Sequence, residues 1–192
     1  MRRSAAETRQ HLLEIASELF YWQGIHAVGV DRVAAAAGVA PTTLYRVFAS
    51  KDDLVAAYVE HNSMGYRAWF DAAVATADEP RAQIRAVFDA LSVQVRPEQC
   101  RGCPFLMALA EYPDPQHPAH VHAVAAKDWV RARFVALATA AGAAAPADLA
   151  DDLMLVMEGV YATVASLGAD GPSRRARALV TALLDASCAP GR

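Results

Sequence analysis

Hydrophobic residues near the start of the chain recur at helical spacing. A first stretch places apolar side chains on one helical face, at Leu12, Ile15, Ala16, Leu19 and Phe20. A second stretch does the same at Val30, Val33, Ala34 and Ala37, and its alanines are small enough to let another helix cross closely. Glycine follows each stretch, at Gly24 and Gly38. Because glycine takes a left-handed backbone without steric cost, the pattern predicts two helices, the second ending in a tight turn.

A third, shorter helix is predicted to begin at Pro41, because proline suits the first position of a helix. Leu44 and Phe48 share one face at 100° per residue, with Val47 at its border. The opposite face carries hydroxyl, phenol and guanidinium groups, at Thr42, Thr43, Tyr45 and Arg46. Such groups suit phosphate oxygens and base edges. The segment is typical of a helix-turn-helix, although an ordinary surface helix of a bundle has the same pattern.

Capping signals surround this segment. Ser4 with Glu7 forms a possible capping box for the first helix. Ser50 with Asp53 is expected to cap a fourth helix, with Lys51 beside the cap and placed to meet a phosphate. Arg3 is either part of an arm that reaches a groove or part of a solubilising tail.

The segments LLEIASELFYWQG, VDRVAAAAGVAPTTLYRVF and SKDDL, in this order, resemble the N-terminal domain of TetR-family transcriptional regulators over about the first 55 residues. The resemblance implies that Thr42, Thr43, Tyr45 and Arg46 lie on the recognition helix and that Lys51 contacts phosphate. Two departures stand out. Val28 and Gly29 occupy a region where the family usually has a hydroxyl residue, and Arg46 and Val47 replace an aromatic or histidine.

The rest of the chain predicts further helices and no sheet. The patterns and the Pro and Gly positions favour helices over about 51–77, 80 to a stop at Pro97, 104–112, 119–141, 147–167 and 173–186. We therefore expect an all-α fold of about nine helices. The predicted domains are a helix-turn-helix DNA-binding domain over 1–50 and a larger helical effector-binding and dimerisation domain over 51–192.

The last two predicted helices carry broad apolar faces. Their members include Leu153, Val156, Val160, Val164, Leu179 and Leu183. The residues either fill the core of their own subunit or face a second copy. In the resembled family the last two helices form a four-helix dimer interface, which implies a homodimer here.

A regulator of this kind needs an effector cavity in its body. The candidate lining residues are large, mostly apolar and free of charge: Trp69, Phe70, Phe88, Leu91, Cys103, Phe105, Met107, Trp129, Phe134, Met157 and Tyr161. Each is also a plausible core residue. Their chemistry favours a small hydrophobic effector.

Cys100 and Cys103 have Cys-x-x-Cys spacing, which leaves three interpretations. A thioredoxin-like or other redox thiol pair is one, and a cysteine at a helix start can have a lowered pKa. A metal site is another, but its further ligands would have to come from His117, His120, His122 or Cys188. The third is packing or pocket lining, with the thiol acting as a small hydrophobe. We assign no metal and no cofactor.

Composition narrows the class of protein. Hydrophobic residues make up 55% and aromatic residues 8%, while the net charge is −3. The first 60 residues hold six Lys/Arg and seven Asp/Glu, so any DNA-binding surface depends on where charges lie. No apolar run of 18 or more residues and no apolar signal core occur, which predicts a cytoplasmic protein without membrane contact. No nucleophile–base set suggests an enzyme.

The predicted function is ligand-controlled transcriptional repression. A homodimer would hold operator DNA until a small hydrophobic effector favours a conformer with altered helix spacing. The alternative is a small-molecule or redox-sensing protein that uses Cys100 and Cys103 and has weak or vestigial DNA binding.

Overall fold

The computed structural model describes residues 4–96 and 98–188, and these residues are helical without a named β-strand. The α-helices are α1 (Ala5–Gln23), α2 (Val30–Ala36), α3 (Pro41–Tyr45), α4 (Lys51–Val74), α5 (Pro80–Gln94), α6 (Pro104–Glu111), α7 (Pro118–Ala140), α8 (Pro146–Leu167) and α9 (Ala176–Ser187). A 3-10 helix, Pro172–Arg175, precedes α9. The predicted all-α fold is confirmed. Pro97, the predicted stop of the fifth helix, lies outside the described residues, and α5 ends at Gln94.

Prolines and one capping box set most helix starts. Proline is the first residue of α3, α5, α6, α7 and α8. At this position the missing N–H would have no partner within the helix. At α1, the Glu7 amide donates to Ser4 Oγ at 3.1 Å and the Ser4 amide donates to Glu7 Oε2 at 2.7 Å. The predicted capping box is therefore present.

Contacts divide the described residues into two compact units. The first takes the residues up to Gly65 together with Pro104–Ala125, and the second takes Tyr66–Cys103 together with the residues from Ala126. Neither unit is one continuous run of chain. This division by packing differs from the functional boundary at residue 50, which stays a prediction.

The first unit has a small core built on α1. Phe20 is buried and meets the ring of Tyr58 edge to face, with 5.5 Å between ring centres. Val33 and Ala34 of α2 are fully buried, so the small alanine permits close helix crossing as predicted. His11 Nε2 lies 3.1 Å from the carbonyl oxygen of Ala37, which ties α1 to the end of α2.

The second unit is built around aromatic rings. Phe70 meets Trp129 at 5.6 Å and Phe134 at 5.3 Å, both edge to face, and Phe134 stacks on Phe88 at 5.8 Å. Three of these rings, those of Phe70, Phe88 and Phe134, are buried. Such pairs add roughly 0.5–1.5 kcal/mol each beyond the area that they bury. Within residues 4–96 and 98–188, no helix combines the length and low polarity that crossing a bilayer requires.

Candidate nucleic-acid interface

The turn between α2 and α3 is short and closed by backbone hydrogen bonds. The Gly38 amide donates to Ala35 and the Val39 amide donates to Ala34, at 3.1 and 3.0 Å. Gly38 has φ +67°, a left-handed conformation that favours glycine. Ala40 is extended and leads into Pro41. The chain therefore reverses within a few residues and sets α3 across α2, as the sequence predicts.

The two sides of α3 differ in exposure. Leu44 is fully buried and Phe48 is 3% exposed, so both anchor the segment to the first unit. Thr42 and Arg46 are exposed, Tyr45 is 50% exposed, and Thr43 is half-buried. α3 itself ends at Tyr45, but the Val47 and Phe48 amides both donate to the Leu44 carbonyl and extend the turn. The predicted inward face is confirmed, and the polar tips on the other side face solvent.

Lys51 lies at the start of α4 beside the predicted cap. The Asp53 amide donates to Ser50 Oγ at 3.0 Å. Lys51 is half-buried, and its Nζ donates to the His26 carbonyl at 3.4 Å, in the connection between α1 and α2. This contact fixes the ammonium group near the surface of the first unit. Arg3, the other predicted cation, lies outside the described residues.

The start of α2 has no hydroxyl side chain to cap it, as the departure from the family pattern at Val28 and Gly29 predicts. Gly29 is the N-cap, in extended backbone, and no side chain caps this end. The Arg32 and Val33 amides donate to the Gly29 carbonyl at 3.1 and 3.3 Å. Backbone groups alone therefore form this helix start.

Glu111, the last residue of α6, holds the connection between α1 and α2. Its Oε1 accepts from the Ile25 amide at 2.9 Å and its Oε2 accepts from the His26 amide at 2.5 Å. The His26 ring lies 2.7 Å from the Glu111 carbonyl oxygen through Nε2. A carboxylate that accepts hydrogen bonds from two backbone amides makes a strong, directional clamp. Sequence reasoning missed it, because 86 residues separate Glu111 from Ile25 and no local pattern links them.

Tyr112 extends this contact to α4 and α7. Its ring stacks on His117 at 4.2 Å, and His117 Nε2 lies 3.6 Å from Asp52 Oδ1. Burial, followed by the carboxylates of Asp52 and Glu111, raises the pKa of Tyr112 to about 12. His120 Nδ1 lies 2.8 Å from the Tyr112 carbonyl oxygen. In the described part of the chain, no group of three or more His, Cys, Asp or Glu side chains is placed to hold a metal ion.

Replacing Glu111 with glutamine should loosen the α1–α2 connection. The amide group keeps the size of the carboxylate but offers one acceptor where the structure uses two. We expect Glu111→Gln to lower the free energy of unfolding by about 1–3 kcal/mol, the range for hydrogen bonds to a charged group. Urea unfolding followed by far-UV circular dichroism measures the change.

The matched control is Glu79→Gln, because Glu79 is exposed and its side chain makes no cap hydrogen bond before α5. This variant should change stability by less than about 0.5 kcal/mol. Equal effects of the two substitutions would show that the Glu111 clamp contributes nothing to stability.

Similarity to known proteins assigns the chain to a family. A model of bacterial regulatory proteins, tetR family, matches residues 12–58. The crystal structure of SCO4454, a TetR-family transcriptional regulator from Streptomyces coelicolor, is similar with a TM-score of 0.91 and 34% sequence identity. The match covers 96% of this chain and 97% of that chain. The chain belongs to the TetR family.

Curated relatives match over shorter lengths. The HTH-type transcriptional activator FasR of Mycolicibacterium smegmatis is 36% identical over 84 residues, which is 44% of this chain and 38% of FasR. An HTH-type transcriptional regulator of Staphylococcus aureus strain USA300 is 43% identical over 54 residues, 28% of this chain and 29% of that protein. The matches therefore span less than half of these relatives.

The predicted effector residues of this TetR-family chain fall into both units. Phe105 and Met107 lie on α6 in the first unit, where Phe105 is buried and Met107 is half-buried. The other nine lie in the second unit: Trp69, Phe70, Phe88, Leu91, Cys103, Trp129, Phe134, Met157 and Tyr161. The rings of Phe70, Trp129, Phe134 and Phe88 pack on one another. Phe88 and Leu91 also line a pocket of the second unit, at its α5 side.

That pocket has apolar walls and a basic rim. Leu91 and Val95 of α5 face Val160 and Val164 of α8, and Arg174 and Arg177 belong to its lining near the start of α9. Arg177 Nε lies 2.6 Å from Asp89 Oδ1. Sequence reasoning missed the arginines, because its candidates were chosen by apolar character.

The predicted dimer residues of α8 and α9 also divide by exposure. Leu153, Val160 and Val164 are buried within the protomer, at 0%, 4% and 3% exposed. Val156 and Leu183 are half-buried, and Leu179 is 48% exposed. Leu155, which the sequence did not single out, is 73% exposed. It lines a shallow apolar groove with Val156, Gly159 and Leu179.

Proposed function

We propose that this TetR-family chain is a ligand-responsive transcriptional regulator that reads duplex DNA with the exposed side of α3. The observation that supports this proposal is that one side of this short helix is buried and the other side is exposed. The buried side chains of Leu44 and Phe48 anchor it to the core of the first unit. Thr42, Tyr45 and Arg46 are exposed to solvent. A rigidly anchored helix with outward polar tips is the arrangement that enters a major groove.

Each polar tip has a matching partner on DNA. The Arg46 guanidinium suits guanine O6 and N7 or a phosphate, and the Tyr45 phenol and Thr42 hydroxyl suit phosphates or base edges. Lys51 supports phosphate contact from the start of α4, where its Nζ also donates to the His26 carbonyl. We keep Thr43 in the proposed interface, although its side chain is half-buried.

We also propose that two copies associate through α8 and α9. The exposed groove lined by Leu155, Val156 and Leu179 is apolar. On the same side, Gly159 has open space for 4 Å around the position that a Cβ atom would take. A helix from a second copy can therefore approach closely along this face. Dimerisation would place two α3 helices for successive major grooves, about 34–36 Å apart or a multiple of that distance.

The proposed effector is a small, largely apolar compound that binds the second unit. Supporting this are the apolar walls contributed by Leu91, Val95 and Val160, and Arg174 at the rim favours an acidic end. The effector acts only through different affinities for two conformers, one of which would tilt α4 and change the spacing of the α3 helices. We favour repression released by the effector. The name of FasR describes an activator, and polarity depends on where the operator lies relative to a promoter.

Direct DNA binding tests this function. Fluorescence anisotropy with duplex fragments from the DNA flanking the gene should show specific binding that weakens with salt. If the dimer neutralises about four to six phosphates, the logarithm of the association constant should fall with the logarithm of salt concentration with a slope of about −4 to −5. A scrambled duplex is the control for specificity.

Absence of any DNA affinity at low salt would contradict the proposal. The chain would then fit the alternative function, a small-molecule or redox-sensing protein that uses Cys100 and Cys103 and has a vestigial helix-turn-helix.

A further inference from the structure

A thiol, an ammonium and a carboxylate form a chain of contacts in the second unit. Lys127 Nζ donates to Cys103 Sγ at 3.0 Å and also pairs with Glu158 Oε1. Cys103 is 4% exposed, and the side chains of Lys127 and Glu158 are 17% and 23% exposed. The three residues come from the segment before α6, from α7 and from α8. The geometry thus places a buried cysteine beside a half-buried cation.

Two tyrosines lie in the same polar region. Tyr66 Oη donates to Met157 Sδ at 2.9 Å, and Tyr161 Oη donates to Gln94 Oε1 at 3.3 Å. Burial raises the pKa of both phenols, and the nearby Cys103 raises it further. Both phenols therefore stay neutral near pH 7, and the charged group that contacts the sulfur is the Lys127 ammonium.

Lys127 keeps its charge in this environment. Burial lowers the pKa of its ammonium, but the neighbouring Cys103 and Glu158 outweigh burial, so the net direction is upward. An ammonium at hydrogen-bond distance favours the thiolate, the reactive form of cysteine. Glu158 alone would satisfy the charge of Lys127, so the additional contact with sulfur is the feature that points to thiol chemistry.

The small exposed fraction of Cys103 selects the reactant. Cys103 is only 4% exposed, which favours a small oxidant such as hydrogen peroxide over a bulky electrophile. Glu158 Oε2 is buried without a hydrogen-bond partner and is able to accept a hydrogen bond from a new S–OH group.

We propose that Cys103 is a hydroperoxide-reactive thiol, held ready by Lys127 and Glu158, whose oxidation changes the DNA affinity of the chain. The regulatory part rests on the proposed DNA-binding function. The thiolate sulfur attacks one peroxide oxygen, an S–O bond forms and the O–O bond breaks. The Lys127 ammonium protonates the departing hydroxide to water and regains its proton from solvent. Sulfur is oxidised by two electrons to a sulfenic acid, and the peroxide is reduced by two.

Cys103 is the residue that immediately precedes α6 in the sequence. This helix begins at Pro104 and ends at Glu111, which clamps the Ile25 and His26 amides. α6 has eight residues and is therefore about 12 Å long. A new oxygen on Cys103 would disturb the contact with Lys127 at the beginning of this helix.

The test uses the full chain and hydrogen peroxide at pH 7. Peptide mass spectrometry follows the rate at which each cysteine is oxidised, with a carbon-nucleophile trap for sulfenic acid. Cys188 is the internal control, because it is also 4% exposed. We expect Cys103 to react roughly tenfold faster or more than Cys188, because the Lys127 ammonium contacts the Cys103 sulfur and favours its thiolate.

Variants test whether Lys127 and Glu158 make the Cys103 thiol reactive or only pack beside it. Lys127→Met combined with Glu158→Gln removes both charges together and should slow oxidation of Cys103 about tenfold or more, while Cys188 is unaffected. In anisotropy, peroxide should weaken DNA binding by the wild type about tenfold or more. Cys103→Ser should bind DNA equally with and without peroxide, and Cys188→Ser should behave as the wild type.

Equal oxidation rates for Cys103 and Cys188 would overturn the inference, as would an oxidised Cys103 with unchanged DNA affinity. If the reduced protein binds no DNA, the proposed function fails and the regulatory inference fails with it. The oxidation rates still report on the thiol in that case, so the two failures are distinguishable.

Discussion

Truncating the side chains of Tyr45 and Arg46 together should abolish specific DNA binding. We expect Tyr45→Ala with Arg46→Ala to weaken operator affinity roughly 10³-fold or more, because a dimer would lose four base or phosphate contacts worth about 1–3 kcal/mol each. The fold should survive, since Tyr45 is 50% exposed and Arg46 is exposed. Fluorescence anisotropy measures the affinity, and far-UV circular dichroism checks the helix content.

Arg96→Ala is the control for the loss of positive charge. Arg96 is exposed and follows α5 in the second unit, so its removal should change affinity less than about threefold. Should the double variant bind as tightly as the wild type, α3 is not the DNA-reading element. A similar loss in Arg96→Ala would instead indicate a general effect of charge.

Charging the exposed side of α8 and α9 should separate the proposed dimer. We expect Leu155→Glu with Leu179→Glu to raise the dimer dissociation constant roughly 10³-fold or more, because burying each leucine contributes about 1.5–3 kcal/mol and each occurs twice. The protomer should remain folded, since these side chains are 73% and 48% exposed within it. Sedimentation velocity at micromolar concentration measures the oligomeric state.

Val93→Glu is the matched control, because Val93 is 60% exposed on α5 and outside the proposed interface. It should leave the dimer intact. A wild-type protein that sediments only as a monomer would contradict the interface, and so would a double variant that stays dimeric. DNA affinity should fall with dimer dissociation, because two linked recognition helices bind far better than one.

The local parts of the fold were predictable from sequence for physical reasons. Proline at the first helical position and the Ser4–Glu7 capping box act over a few residues, and the structure has both. The orientation of α3 follows from 100° per residue, which puts Leu44 and Phe48 on one side. Such features need no knowledge of the rest of the chain.

The non-local parts were not predictable in the same way. Glu111 reaches backbone amides 85 and 86 residues away, and no spacing rule reports such a contact. When a helix carries apolar residues on two sides, the sequence also does not show which of these residues are buried and which are exposed. On α8, Leu153 is fully buried, whereas Leu155 is largely exposed. The pattern identified the helix but not which side its own protomer covers.

The Glu111 clamp limits how freely the DNA-reading module can be exchanged between relatives. A chimera that takes only the first 50 residues of this protein would import the Ile25–His26 amides without their carboxylate acceptor. Such a graft needs a recipient whose sixth helix ends in an acidic residue at the same place, or it must bring α6 along. Retargeting a regulator of this type to a new promoter therefore requires the exchange of two segments, the DNA-reading residues and α6.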